Sequence, residues 1–268
     1  DKKNPEILVT SPVSGTVSEV VRGEKRKLLE VKIKADGQQE YVDFGSHKVS
    51  EMTADDVKEL LLKSGLWAGL VQRPYGIVAD PSAEPKAIFV SAFSTAPLAA
   101  SPEFALKDDF DNVQAAVNAL GKLTKGGVHV SLSIDNFSGS PFHKLENVIQ
   151  HIVSGKHPAG NVGVQISHIS PIMKGETVWT VSLLLLAAIG KLLNTGRLNL
   201  ARKVAVTGPK AIDPAYVDAL PGISMKDIAE FYDNSANDIR FISGDVLTGK
   251  NVGPDGSLGF FDNQVTLI

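Results

Sequence analysis

The sequence predicts an α/β chain assembled from several α+β units, and three observations carry the prediction. Residues 1–45 alternate apolar and polar with the period of two that marks half-buried strands. From about residue 85, continuous apolar runs that read as strands buried on both faces alternate with stretches at helical spacing. That β-α-β order implies a parallel sheet with right-handed crossovers. After residue 200 the elements shorten into a small α+β unit. At roughly 100–200 residues per domain, a chain of 268 residues holds two or three domains.

Each element follows from local chemistry. Ile7–Thr10, Gly15–Val21 and Lys27–Lys34 read as strands, broken at Ser11-Pro12, Gly23 and Asp36-Gly37. Thr53 followed by Asp55 and Asp56 is a helix start, Val57, Leu60 and Leu61 share one face, and Gly65 is a stop. Lys86–Phe93 is the first doubly buried strand, Phe110–Leu123 a helix, Gly127–Ile134 the next strand and Val148–Val153 a third. Glu176–Leu193 reads as the longest helix. Arg202–Thr207 is a strand, Asp213–Leu220 and Ser224–Phe231 are short capped helices, and Arg240–Gly244 and Leu258–Ile268 return to strands.

Composition excludes several functions. With 27 basic and 30 acidic residues interspersed, the chain has no basic stripe to grip a phosphate backbone, so no nucleic-acid partner is expected. Cys is absent, which removes disulfides, thiolate metal sites and Cys nucleophiles. The longest apolar run, Val181–Gly190, falls far short of the roughly 20 residues that span a bilayer, so no transmembrane segment is expected. The chain opens on Asp1 and closes on what reads as the middle of a strand, so both ends are expected to be cut.

Chemistry is sparse. The turn after the first doubly buried strand, Ser94-Thr-Ala-Pro97, has no glycine, and Asp135–Ser140 has one; a dinucleotide loop needs three, and no phosphate-binding P-loop occurs. His157-Pro-Ala-Gly-Asn-Val-Gly163 is either a backbone cradle for an anion or a tight turn. His151, His157 and His168 have no metal-ligand spacing and no carboxylates beside them, so no metal is expected. Trp67–Tyr75 joins two aromatics, aliphatics and one cation. It suits a quinone, with Trp67, Arg73 and Tyr75 as candidate contacts, or it is a packing plug between domains.

A series of short motifs runs along the chain: Asp1-Lys-Lys-Asn-Pro5, Ser11-Pro-Val-Ser-Gly-Thr-Val17, Ser64-Gly-Leu-Trp67 with Arg73-Pro74, Lys86–Val90, Pro97–Ala100, His157-Pro-Ala-Gly160, and Ile242–Gly249 with Gly253-Pro254. In this order they resemble the A-type subunit of the bacterial Na+-translocating NADH:quinone oxidoreductase, over nearly the whole length. The resemblance implies a partial barrel-sandwich (lipoyl-like) element at 1–45. It implies a Rossmann-like α/β domain at 46–200, related to the flavin subunit of respiratory complex I, and a small β-grasp domain at 201–268. Ser11–Gly15 looks like half of a lipoyl-type hairpin without the carrier Lys. Where the flavin subunit has an acidic residue after a glycine, Asn161 follows Gly160 here, and the first loop lacks glycine. The resemblance therefore implies a peripheral subunit with no flavin, NADH or metal of its own, on the cytoplasmic face of the bacterial inner membrane. Ubiquinone is then the substrate of the complex, FMN, FAD and NADH sit on other subunits, and the partner is a quinone-handling membrane subunit. The alternatives are a soluble flavin- or NADH-binding dehydrogenase and a purely structural scaffold.

Overall fold

The computed structural model describes residues 3–231 and 238–268. Strands β1 (Gly15–Arg22) and β2 (Leu28–Ala35) pair antiparallel as a ribbon whose faces both reach solvent, leaving Val17, Leu28 and Leu29 exposed. Ile7–Thr10, expected as a strand, belongs to none of the sheets among the described residues. Ile7 is buried in the main core and the Thr10 hydroxyl donates to the Ser64 carbonyl, so the segment packs on a helix end rather than joining a ladder.

That helix, α1 (Ala54–Ser64), has the predicted ends. The Thr53 hydroxyl accepts from the Asp56 amide, the Asp56 carboxylate accepts from the Thr53 amide, and Gly65 closes it in the left-handed region at φ 80°. Next come β3 (Val71–Arg73), β4 (Ile77–Val78), β5 (Ile88–Ser91), β6 (Val128–Ser133), β7 (Val148–Val153) and β8 (Val178–Thr180). They form one sheet in the order β4-β3-β8-β5-β6-β7, with β8, β5, β6 and β7 parallel and β3 antiparallel to both neighbours. The connections hold α2 (Pro102–Ala105), α3 (Phe110–Leu120) and α4 (Val162–Ile169), and α5 (Leu183–Thr195) follows β8.

Alternation along the strands sorts two faces. Ile88, Val90, Val128, Val130 and Leu132 join α1, α3 and α5 in the main core. Phe89 and Val178 point the other way, onto Ile166 of α4. Helices α3 and α5 touch backbone to backbone. A Cβ on Gly190 would lie 1.8 Å from the Asn112 carbonyl oxygen, which is why glycine stands in the middle of an otherwise strong helix former.

The helix expected over Glu176–Leu193 is in fact a strand followed by a helix. Val178-Trp-Thr-Val is β-branched and aromatic and enters the sheet, and Ser182 then caps α5 by accepting from the Leu185 amide.

The last unit is a five-stranded sheet of β9 (Arg202–Thr207), β10 (Ala215–Ala219), β11 (Phe241–Ser243), β12 (Lys250–Asn251) and β13 (Gln264–Leu267), ordered β10-β9-β13-β11-β12. The helix expected at Asp213–Leu220 is instead β10. Its period-two burial, with Tyr216 and Asp218 out and Val217 and Ala219 in, outweighs the cap-like Asp213-Pro214. Ser224–Phe231 is helical as expected, in 3-10 form over Met225–Phe231, and inserts Met225 and Ile228 into this unit's core. The expected strand at Leu258–Ile268 is confined to β13, because residues 258–263 turn across the first unit.

Replacing Gly190 by Ala is expected to destabilise the protein by about 1–3 kcal/mol through overpacking. Gly163→Ala, where a Cβ on α4 meets nothing, is expected to add about 0.4–1 kcal/mol. Urea midpoints at constant slope read both effects.

Candidate functional site

The three residues expected at a quinone slot do not converge on one open pocket. Trp67 follows α1 in a 3-10 turn (Leu66–Gly69) and is 0% exposed. Its ring meets that of Trp179 of β8 edge to face at 5.3 Å, and its indole N–H donates to the Ala79 carbonyl at 2.8 Å. Trp67 thus pins the far arm of the β3–β4 hairpin to the core. The near arm is tied by the Gln72 side-chain oxygen, which accepts from the Asp80 amide, and by the Ala79 amide donating to Leu70. Gly76, at φ 65°, turns the tip with its amide on the Gln72 carbonyl. Tyr75 stands on that tip 71% exposed, with Ile77 exposed beside it. Arg73 pairs across to Val178, on the sheet face away from Trp67, and its buried Nε has no hydrogen-bond partner.

A second place, invisible in the sequence, lies at the carboxyl ends of the parallel strands. The chain moves outward from β5 to β6 and β7, then returns across β5 to β8. Ligand crevices in open α/β sheets form where strand order reverses in this way. A cleft of about 260 Å³ opens there between the two units. Its lining includes the apolar Phe93, Leu106, Leu183 and Phe261 and the carboxylates of Asp245 and Asp262, with no cationic side chain among its lining residues.

The His157–Gly163 loop, read as either an anion cradle or a tight turn, packs against Ser91 and Thr95 next to this region. The Gly160 amide donates to the Thr95 hydroxyl at 3.0 Å, its carbonyl accepts from the Ser91 hydroxyl at 3.0 Å, and His157 Nδ1 lies 3.3 Å from the same Thr95 oxygen. Gln165 of α4 donates to Ser91 and to the Ala159 carbonyl. A Cβ at residue 160 would sit 2.6 Å from the Thr95 amide nitrogen. The Gly160 backbone therefore lies against that of Thr95, and its N–H is spent on the Thr95 hydroxyl.

Outside the cleft's lining, Arg202 of β9 donates to the carbonyls of Phe260 (2.6 Å) and Gly259 (2.9 Å). Burial pushes its guanidinium down to about 10, with Asp262 working the other way. Burial raises Asp245, but hydrogen bonds from the Thr248 hydroxyl and the Leu247 and Thr248 amides outweigh it and hold the carboxyl below its usual range. The histidines do not gather. Among the described residues no group of three or more His, Asp or Glu is placed to hold a metal, and His151 has His129 as its partner rather than His157 or His168. Among them also, no helix is long and apolar enough to cross a membrane.

Comparison with known proteins matches three family models in chain order. The N-terminal barrel-sandwich hybrid domain of NqrA covers residues 1–36, its second alpha/beta domain 52–198, and the NQRA C-terminal domain 203–253. The whole chain is 36% identical to the A-type subunit of the Na(+)-translocating NADH-quinone reductase of Histophilus somni (strain 129Pt), and 36% to that of Pseudomonas aeruginosa PAO1. The chain belongs to the NqrA family. It spans 60% of the length of these relatives. Among solved structures, the NAD+-reducing [NiFe]-hydrogenase in its H2-reduced state shares the fold at a TM-score of 0.51 and 14% identity, over 82% of this chain and 48% of that one. Its air-oxidised form gives 0.50 and 12%.

Within this NqrA-family fold the Trp67 bond is a stability element. Trp67→Phe is expected to cost about 1–3 kcal/mol, because the Ala79 carbonyl loses its donor in a closed core. Denaturant unfolding followed by far-UV circular dichroism measures it.

Proposed function

We propose that this chain serves as the quinone-facing part of the NqrA subunit in a sodium-pumping NADH:ubiquinone reductase. In this reading it is a peripheral piece that contributes to quinone binding and assembly of the complex and is inactive alone. The observation that carries the reading is the 36% identity over the full chain to the NqrA subunit of a Na(+)-translocating NADH-quinone reductase. The domains are then a partial barrel-sandwich element at 1–45, a Rossmann-like unit at 46–200 and a β-grasp unit at 201–268. The complex is a translocase docked on the cytoplasmic face of the bacterial inner membrane through a quinone-handling membrane subunit.

In this reading each candidate residue has a distinct part. Tyr75 offers an exposed amphipathic ring, and Arg73 beside it holds an N–H without a partner, a donor suited to a quinone carbonyl oxygen. Trp67 acts from behind, by fixing Ala79 and with it the hairpin. Flavin and NADH are assigned to other subunits. The zipped Thr95–Gly160 contact, and a cleft with two carboxylates and no cation in its lining, support that assignment, because phosphates require donors and positive charge.

Calorimetric titration with a short-chain ubiquinone tests this reading. Saturable binding is expected, and Arg73→Ala is expected to raise Kd about tenfold, the loss of roughly 1.4 kcal/mol at the upper end for one hydrogen bond. Binding that ignores Arg73→Ala overturns the site. FMN or NADH at 100 times a working Kd would add about 2.7 kcal/mol of stability, and none is expected. A shift of that size would instead favour the flavin dehydrogenase reading.

A further inference from the structure

His129 of β6 and His151 of the edge strand β7 meet on the sheet face that carries Phe89 and α4. His129 Nδ1 lies 2.9 Å from His151 Nε2, the ring planes differ by 6° and the centroids are 5.1 Å apart. Stacked rings keep their atoms about 3.5 Å or more apart, so the imidazoles lie end to end in one plane, joined by an N–H···N bond. The other nitrogen of His129, Nε2, lies 3.2 Å from the Gly126 carbonyl, which can only accept. Nε2 therefore carries a hydrogen, Nδ1 is a bare acceptor, and the proton between the rings belongs to His151.

This arrangement admits one added proton and rejects a second. The first goes to the outward Nδ1 of His151 and leaves the bridge intact. The second has only His129 Nδ1 to occupy, which turns the acceptor into a donor and sets two cations against each other. We propose that the His129–His151 pair is a one-proton latch that holds the edge strand β7 to β6 and releases it on acidification.

Among the described residues no other charge is placed to buffer the pair. Its neighbours on that face, Phe89 and Ser91 of β5, Ser131 of β6 and Ile149 and Val153 of β7, do not ionise at these pH values. Gln165 and Ile166 of α4 are buried and uncharged, and the exposed His168 is not among the charges acting on either ring. Lys125, next to Gly126, pairs with Glu84. Burial, and for His129 the neighbouring His151, holds both imidazoles below the ordinary histidine range. A lowered folded value means that the stabilisation is complete above about pH 6.5 and is lost as pH falls below it.

The latch acts on identifiable amides. The Ile88 amide donates to the Gly127 carbonyl and that of Ala92 to Ser131, so odd-numbered residues of β6 bond toward β5 and even-numbered ones toward β7. With Val128 opposite Val148, the amides of Ile149, His151 and Val153 bond inward and those of Val148, Gln150 and Ile152 face outward. Hydrogen exchange at the three inward amides, corrected for intrinsic rate, is expected to show β7 open at least about tenfold more at about pH 5.5 than at about 7.5, with Ile88 and Val90 unchanged. One proton gained on opening gives that factor. His129→Gln keeps an acceptor for the His151 N–H and a donor for Gly126 but cannot take the second proton, and is expected to abolish the pH response while keeping β7 protected. An equal response in wild type and variant, or β5 amides moving with β7, overturns the proposal. Should the variant not fold, nitrogen-15 titration of the wild-type imidazoles decides: His151 charging first with His129 neutral supports the latch, and two independent ordinary titrations contradict it.

Discussion

The first unit depends on the insertion of β8 between β3 and β5. That three-residue strand pairs antiparallel on one side and parallel on the other, so it joins the β3–β4 hairpin to the parallel sheet. Its Trp179 meets Trp67, and Trp67 in turn holds Ala79 at the hairpin's far arm. Its carboxyl end runs into Ser182, which starts α5 and lines the cleft. The exposed hairpin and the crevice between the units are therefore both placed by one short strand.

The same strand marks where sequence reasoning stops. Helix α1 was legible because a capping box, a stripe and a left-handed glycine all point to the same ends. Strands β5, β6 and β7 were legible because β-branched and other apolar residues recur through each run and turn residues flank it. From Val178 to Leu193 most residues are apolar, so periodicity carries no boundary, and Ser182 marks the change from strand to helix. At β10, Asp213-Pro214 imitates a helix start, and only pairing with β9 decides between the two readings. The two readings left open for Trp67–Tyr75, a quinone slot or a packing plug, divide along the segment, because Trp67 packs inward while Tyr75 stands exposed on the hairpin tip. The cleft and the His129–His151 pair depend on register and on packing between units, so no local spacing announces them.

Two loops at the carboxyl ends give the fold its functional direction. In this position a sheet of reversed strand order usually receives a ligand. Here Gly160 is kept small so that its backbone can lie against Thr95, and Gln165 and Ser91 complete a hydrogen-bonded seam. What stays open is a cleft lined by apolar residues and two carboxylates, and an aromatic hairpin tip at the other edge of the sheet. Both surfaces suit an uncharged, flat ligand better than a phosphate. This supports the proposed reading, in which the chain contributes to quinone binding and flavin and NADH sit on other subunits.

Photolabelling with an azido-ubiquinone, followed by peptide mapping, tests the central claim most directly. The account predicts label on the hairpin peptide containing Arg73 and Tyr75, competed away by unmodified quinone. Competable label confined to the cleft segments around Phe93 and Phe261, with the hairpin clean, would contradict it.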